Sequence, residues 1–151
     1  MTSHATDLEA TRTRIRESFG RQALMATMGA TLGRIEAGEV EVWLPFDRRL
    51  TQQHGFLHAA TIAAIADNAC GYAALSMMPP DASVLSVEFK VNLLAPASGE
   101  RFVALGQVVR AGKTITVTRA DVHAHAGDAK PKLVATMLAT MIRAEARDGQ
   151  G

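Results

Sequence analysis

A single carboxylate inside an otherwise uncharged stretch is the first residue whose placement suggests chemistry. Asp67 is the only charged side chain between His58 and Asp81, and its neighbours at helical spacing are alanine, cysteine and glycine. The ordinary alternative is a solvent-facing aspartate, since burying an unpaired carboxylate costs free energy. This stretch has no polar face, however, so we expect Asp67 to point into a partly enclosed polar pocket. Carboxylates in such pockets are suited to acid–base or nucleophilic chemistry.

His58 is a second candidate, at the start of the same helical stretch, where the structural alternative is a histidine close to the helix cap. Nine residues separate it from Asp67, which is two and a half helical turns. The two side chains therefore lie on opposite sides of the helix and cannot form a dyad within one chain. If both are functional, the site is shared between two copies of the chain.

The elements that position these residues follow from the hydrophobic pattern. Helical spacing from Asp7 predicts an N-terminal helix, a shorter helical piece follows at 23–28, and a long alanine-rich helix covers about 58–78 before Pro79-Pro80 ends it. Period-two alternation predicts two strands before that helix and four after it. One segregated helix among consecutive strands indicates an α+β fold, and a sheet with so little cover favours oligomers. The predicted strands are 31–37, 40–46, 84–94, 101–110, 114–124 and 133–142.

Length and composition bound the class of protein. The 151 residues, 48% apolar and 21% charged, predict one globular domain at 7–143 between polar tails at 1–6 and 144–151. A net charge of +1 argues against a nucleic-acid partner. No apolar run is long enough for a membrane helix, and the N-terminus is polar and charged, so we expect no membrane association and a cytoplasmic location.

Cysteine and histidine are two further residue types that could form a thiol or metal site. The single cysteine, Cys70, excludes an internal disulfide and a cysteine-based zinc site, and its alanine neighbours favour a small buried hydrophobe over a nucleophile. His123 and His125 share one face of a predicted strand and could ligate a metal, but the spacing shows no third ligand. We therefore predict no metal.

Three segments together resemble a known family. Residues 55–60 (GFLHAA), with Asp67 nine residues after the histidine, resemble the helix-start motif of hotdog-fold acyl-CoA thioesterases. The nearest branch is the PaaI-like one, with its Gly-X-X-His-Gly-Gly pattern. Residues 86–97 (SVEFKVNLLAPA) resemble the following strand and residues 108–114 (VVRAGKT) the next hairpin, so that the match spans about 31–142. The resemblance implies a sheet of about six antiparallel strands wrapped around the long helix, beside an N-terminal helix.

The resemblance also implies catalytic roles for four side chains. Asp67 matches the carboxylate that acts as general base or nucleophile toward the thioester, and Ser86 matches a hydroxyl that positions the attacking water. Gln52 occupies the place of an amide side chain near the substrate carbonyl, where asparagine is more usual. His58 matches the motif histidine that orients the loop and the substrate.

The backbone at the helix start matches the group that polarises the thioester carbonyl. In the family two glycines supply it, whereas this chain has Ala59 and Ala60. An alanine keeps the N–H, and the helix dipole adds positive character there. Each methyl group nonetheless narrows the approach of a thioester.

The coenzyme A moiety is implied to bind near the hairpin. The candidate substrate-binding residues carry positive charge or belong to the turn, although each charge also suits a solvated surface. These residues are Lys90, Arg110, Gly112, Lys113 and Thr114.

The implied reaction is hydrolysis of an acyl-CoA to a free acid and coenzyme A, with no cofactor beyond the coenzyme A of the substrate. The implied assembly is a homodimer joined edge to edge, with dimers able to pair further. One alternative is a non-catalytic acyl-CoA binding or sensing protein, which the two alanines favour. An acyl-CoA hydratase is less favoured, because the sequence around Asp67 and Asn68 lacks the Asp-X-Asn-X-X-His pattern of that class.

Overall fold

The computed structural model describes residues 2–145 of the chain, and side chains from Asp7 onward. The order of elements is two helices, two strands, one long helix and four strands. A short 3-10 turn, Arg48–Leu50, precedes the long helix. The elements are α1 (Thr2–Gly20), α2 (Ala23–Met28), β1 (Thr31–Glu36), β2 (Glu39–Pro45), α3 (Ala59–Leu75), β3 (Ala82–Leu93), β4 (Arg101–Ala111), β5 (Ile115–His125) and β6 (Lys132–Glu145).

The strands form one six-stranded sheet in the order β1-β2-β4-β5-β6-β3. Every neighbouring pair is antiparallel. The strand that follows α3 thus lies at the far edge, where β3 pairs with β6 from Ala82↔Glu145 to Leu93↔Ala135. Among residues 2–145, no helix is long and apolar enough to cross a membrane.

The long helix α3 packs across one face of this sheet and contacts β2, β3, β4, β5 and β6. Its sheet-facing side is apolar, with Ile62, Ile65 and Ala69 fully or almost fully buried. Closest approach is at Gly106 of β4, where a Cβ atom would lie 2.2 Å from the carbonyl oxygen of Ala69. A glycine is required there because a side chain would push the helix off the sheet. The α+β hotdog architecture is confirmed.

Element boundaries differ from the sequence-based ones by more than two residues at three places. The first helix begins at Thr2, inside the predicted polar tail, because polar residues and alanine extend a helix at little cost once it is nucleated. Strand β6 continues to Glu145, since Ala144 and Glu145 still pair with Ser83 and Ala82. The rest of the predicted tail of 144–151, residues 146–151, lies outside the described residues.

The long helix ends at Leu75, three residues before the predicted Met78. Proline at 79 disfavours helical backbone at the residue before it. The guanidinium of Arg14 in α1 also donates to the carbonyl oxygens of Leu75 and Met78. These carbonyls therefore find a partner outside the helix, and α1 is anchored to the C-terminal end of α3.

Candidate active site

Asp67 lies half-buried on α3 and lines a cavity of about 440 Å³ between α3, the junction of α1 with α2, and β3. The hydroxyl of Ser86 donates a hydrogen bond of 2.6 Å to Asp67 Oδ1. A hydroxyl donor to a carboxylate makes a strong, charge-assisted bond. The structure therefore brings together two of the residues predicted from the sequence, and Asp67 faces a partly enclosed cavity, as expected.

The side chain of Ser86 reaches Asp67 because of a local irregularity in β3. Ser86 pairs with Met141, whose buried side chain faces α3. The register then shifts by one residue between Ser86 and Glu88. Such a bulge re-aims the side chains on either side of it. It lets β3 direct Ser86 and then Phe89 toward α3, with Val87 as the extra residue.

A polar network beside Asp67 was missed by the sequence analysis. The side-chain amide of Gln22 donates to Asn68 Oδ1 (2.8 Å) and to the hydroxyl of Tyr72 (2.6 Å). That hydroxyl also lies 3.1 Å from Ser18 Oγ. Gln22 and Ser18 come from the α1–α2 region, while Asn68 and Tyr72 belong to α3. The network ties the two helical segments together along the wall of the cavity.

His58 is the N-cap of α3. Its Nδ1 accepts a 2.9 Å hydrogen bond from the N–H of Ala60, so the neutral ring carries its proton on Nε2. The N–H groups of Ala59 and Ala60 were both predicted to polarise a carbonyl, but that of Ala60 already donates its hydrogen bond to His58. The N–H of Ala59 donates to none of the residues described.

His58 and Asp67 line two different cavities in this chain. The cavity beside His58 measures about 670 Å³ and is also lined by Gln52, Ala59 and the end of β3 at Leu93. Gln52 is half-buried, and its side-chain oxygen accepts a hydrogen bond from the N–H of His54. The inference from helical spacing is confirmed, since no dyad of His58 with Asp67 exists within one chain.

The residues predicted to bind coenzyme A occupy the surface. Arg110, Gly112, Lys113 and Thr114 are exposed around the β4–β5 turn and line neither of these two cavities. The turn is tight, since a Cβ on Gly112 would lie 2.5 Å from the carbonyl oxygen of Ile115.

The fifth predicted coenzyme A residue, Lys90, is exposed on β3 opposite Leu138. Leu138 is itself exposed, between Met137 and Ala139, which are buried beneath α3. Lys90 therefore lies on the face of the sheet away from α3. The structure does not bring it together with Asp67.

The remaining candidates are the cysteine and the histidines considered for a thiol or metal site. Cys70 is fully buried, and burial raises the pKa of its thiol to about 12, as expected for a small hydrophobe. Burial, with the positive charges of Arg101 and His123, lowers the pKa of His125. Within the described residues, no group of three or more histidine, cysteine, aspartate or glutamate side chains could hold a metal ion.

Two comparisons identify the family. The sequence model of the thioesterase superfamily matches residues 54–129, which include His58, Asp67 and Ser86. A solved thioesterase family protein from Silicibacter pomeroyi is 48% identical, with 90% of this chain and 99% of that one covered and a TM-score of 0.87. The chain belongs to the thioesterase superfamily.

More distant solved structures support the hotdog fold of this thioesterase superfamily member. A conserved protein of Pseudomonas aeruginosa is 25% identical over 82% of this chain and 94% of its own, with a TM-score of 0.74. The PaaI protein of the E. coli phenylacetic acid degradation operon is 18% identical over 91% and 95%, with a TM-score of 0.80. No curated protein matches the sequence.

Proposed function

We propose that this thioesterase superfamily member hydrolyses acyl-CoA thioesters to the free acid and coenzyme A. The observation that carries the proposal is the 2.6 Å hydrogen bond from Ser86 to Asp67 at the wall of a cavity. A carboxylate held in this way retains lone pairs that can accept a proton from water. Because the chain belongs to the thioesterase superfamily, we take the electrophile that the activated water attacks to be a thioester.

The reaction needs two proton transfers and the exchange of a carbon–sulfur bond for a carbon–oxygen bond. Asp67 takes a proton from water while the water oxygen bonds to the thioester carbonyl carbon, with Ser86 orienting the carboxylate and the water. The carbonyl oxygen then carries negative charge, which a backbone N–H at a helix N-terminus stabilises. Collapse breaks the carbon–sulfur bond, and the proton held by Asp67 passes to the departing sulfur. Direct attack by the Asp67 carboxylate on the carbonyl carbon is the other route open to this group.

The amide that fits the oxyanion role is the N–H of Ala59, because His58 already occupies that of Ala60. Ala59 and Asp67 line separate cavities of one chain, so a complete site requires two copies. The edge strand β3 supports this assembly, since Leu85, Val87 and Phe89 on it are 60%, 55% and 44% exposed. Large apolar side chains on an exposed edge strand favour pairing with another chain.

Replacement of the carboxylate tests the chemistry. We expect Asp67→Asn to lower the rate of thiol release from acyl-CoA by about 10²-fold or more, the scale of a general base. Its melting temperature should stay close to that of the wild type, because asparagine is nearly isosteric. Asp81→Asn is the matched control, since Asp81 is 81% exposed and lines neither cavity. Full activity in Asp67→Asn would refute the assignment, and tight acyl-CoA binding without turnover in the wild type would favour the sensing alternative.

Mixing two inactive variants tests the shared site. Asp67→Asn and His58→Ala are unfolded together and refolded, so that copies exchange. In a two-fold dimer, half of the particles are hybrids and each hybrid keeps one intact site, so about a quarter of the activity should return. If activity does not return while hybrids form, both residues serve one chain and the shared site is wrong.

A further inference from the structure

Gly71 is a glycine in the interior of α3 that packing does not explain. A glycine inside a helix destabilises it relative to alanine, because the unfolded chain has more freedom to lose. Glycines in helices are commonly explained by a close neighbour that leaves no room for a side chain. A Cβ atom built on Gly71, however, meets no atom of the described residues within 4 Å.

The open space beside Gly71 is the cavity that contains Asp67. Gly71 follows Asp67 by four residues, so the two lie on the same face of α3 with a separation of about 6 Å along the helix axis. Leu75 lies one further turn along, and all three line the same cavity. The missing side chain therefore widens the cavity at its middle, next to the proposed base.

Side chains from two segments border the cavity on either side of Gly71. On one side stand the hydrogen-bonded side chains of Gln22 and Tyr72, which are held by each other. On the other side stands β3 with Val84 and Ser86, and the latter is held by Asp67. Asp67, Gly71 and Leu75 form a row along α3, so a group that extends along the helix from a carbonyl beside Asp67 toward Leu75 passes over Gly71.

We propose that Gly71 is a specificity-determining residue, whose lack of a side chain lets acyl groups longer or bulkier than acetyl extend along α3 beyond the thioester carbonyl. The inference rests on the proposed function, because it places the acyl group in the cavity of Asp67. An acetyl group ends close to Asp67, whereas a longer acyl group crosses the position where a Cβ would stand. Gly71 thus lowers the stability of α3 and, at the same time, permits larger acyl groups to bind.

The test compares stability with substrate profile in Gly71→Ala and Gly71→Leu. Thiol release is measured with acetyl-CoA, hexanoyl-CoA and phenylacetyl-CoA, and kcat and KM are determined for each. For the better of the two larger substrates, kcat/KM should fall about 10-fold or more in Gly71→Ala, the scale of one carbon atom that clashes with an acyl group, and further in Gly71→Leu. Any acetyl-CoA activity should change less than twofold in Gly71→Ala.

Thermal unfolding gives the second readout. Gly71→Ala should raise the melting temperature by about 1–4 °C, since it removes a helical glycine without a clash. The matched control is Gly20→Ala, at the end of α1. A Cβ there also meets no atom of the described part of the chain within 4 Å, but Gly20 does not line the cavity of Asp67. It should leave the substrate profile unchanged.

The outcomes separate this inference from the proposed function. If the wild type hydrolyses none of the thioesters, the proposed function fails. If the wild type is active and both Gly71 variants keep its profile, the role of Gly71 is wrong and the proposed function stands. Loss of the oligomer in Gly71→Ala, seen by sedimentation, would also overturn the inference, because a close contact between copies would then explain the glycine.

Discussion

A glycine lies on each side of α3, and the two are needed for opposite reasons. On the side that faces the sheet, Gly106 of β4 has no room for a Cβ, which would stand 2.2 Å from the backbone of α3. On the side that faces the cavity, Gly71 has open space in front of it. Gly106 permits the backbone of α3 to approach β4 closely. Gly71 leaves the cavity beside Asp67 free of a side chain at that position. What a side chain would contact distinguishes a packing glycine from a functional one.

The two sides also differ in how they are held. The sheet-facing side is held by buried apolar contacts of residues such as Ile62 and Ile65. The cavity side is held by hydrogen bonds, through Asp67 to Ser86 and through Asn68 to Gln22. Mutations on the first side should therefore act on stability, and mutations on the second side on the reaction.

The largest effect is expected at the contact between helix and sheet. Gly106→Ala places a methyl group against the backbone of Ala69, and we expect the free energy of unfolding to fall by about 3 kcal/mol, the upper range for overpacking. Urea unfolding followed by circular dichroism measures this loss. Gly71→Ala is the matched alanine on the other side of the helix and should have the opposite sign. Equal stability of Gly106→Ala and the wild type would mean that α3 does not lie against β4 there.

A smaller effect, on rate rather than stability, is expected on the cavity side. Ser86→Ala removes the hydrogen bond that holds the Asp67 carboxylate in place. We expect kcat to fall about 10–100-fold, because the base and the water are then positioned less well for attack. The melting temperature should change little, because Ser86 is exposed at the sheet edge. Ser98→Ala, in an exposed loop outside both cavities, is the control, and a kcat in Ser86→Ala equal to that of the control would contradict the role.

The smallest effect is expected at His125, which does not belong to either side of α3, and concerns the pH dependence of stability. Burial and the charges of Arg101 and His123 lower the pKa of His125 below the ordinary value of 6.5. The unfolded chain then takes up the proton first, so this residue lowers stability as pH falls below about 6.5. In His125→Gln the melting temperature should therefore fall less between pH 7 and pH 5 than it does in the wild type. The exposed loop residue His54 provides the control His54→Gln, and an unchanged slope in His125→Gln would show that other groups cause the acid sensitivity.

Much of the fold could be predicted because each element carries its own local signal. The alternation of residues 84–94 predicted β3, and the alanine-rich run with Pro79-Pro80 predicted α3 and approximately where it ends. Residues at the ends were misplaced because tertiary contacts decide them. Arg14 contacts the end of α3 from a helix about sixty residues earlier, as its bonds to Leu75 and Met78 show.

The candidate site was predicted in part, and the missing part has a physical reason. Asp67 was recognisable from its uncharged surroundings, and Ser86 from the resemblance to the thioesterases. Gln22 and Tyr72 gave no signal, since their contact joins residues 50 positions apart in sequence. The engagement of the Ala60 N–H depends on the orientation of the His58 ring, which spacing cannot reveal. A glycine inside a helix was the one local signal available for Gly71.

The strand order determines when this site is completed during synthesis. The partner of β3 in the sheet is β6, the C-terminal strand, so β3 leaves the ribosome well before its neighbour exists. Until β6 inserts between β5 and β3, the strand that carries Ser86 is an unpaired segment with exposed leucine, valine and phenylalanine. Pairings this distant in sequence form slowly, and unpaired apolar strands are prone to aggregation. The wall of the cavity is thus the last part of the sheet to form, and shortening the C-terminal strand would leave a chain with α3 in place and nothing to hold Ser86 against Asp67.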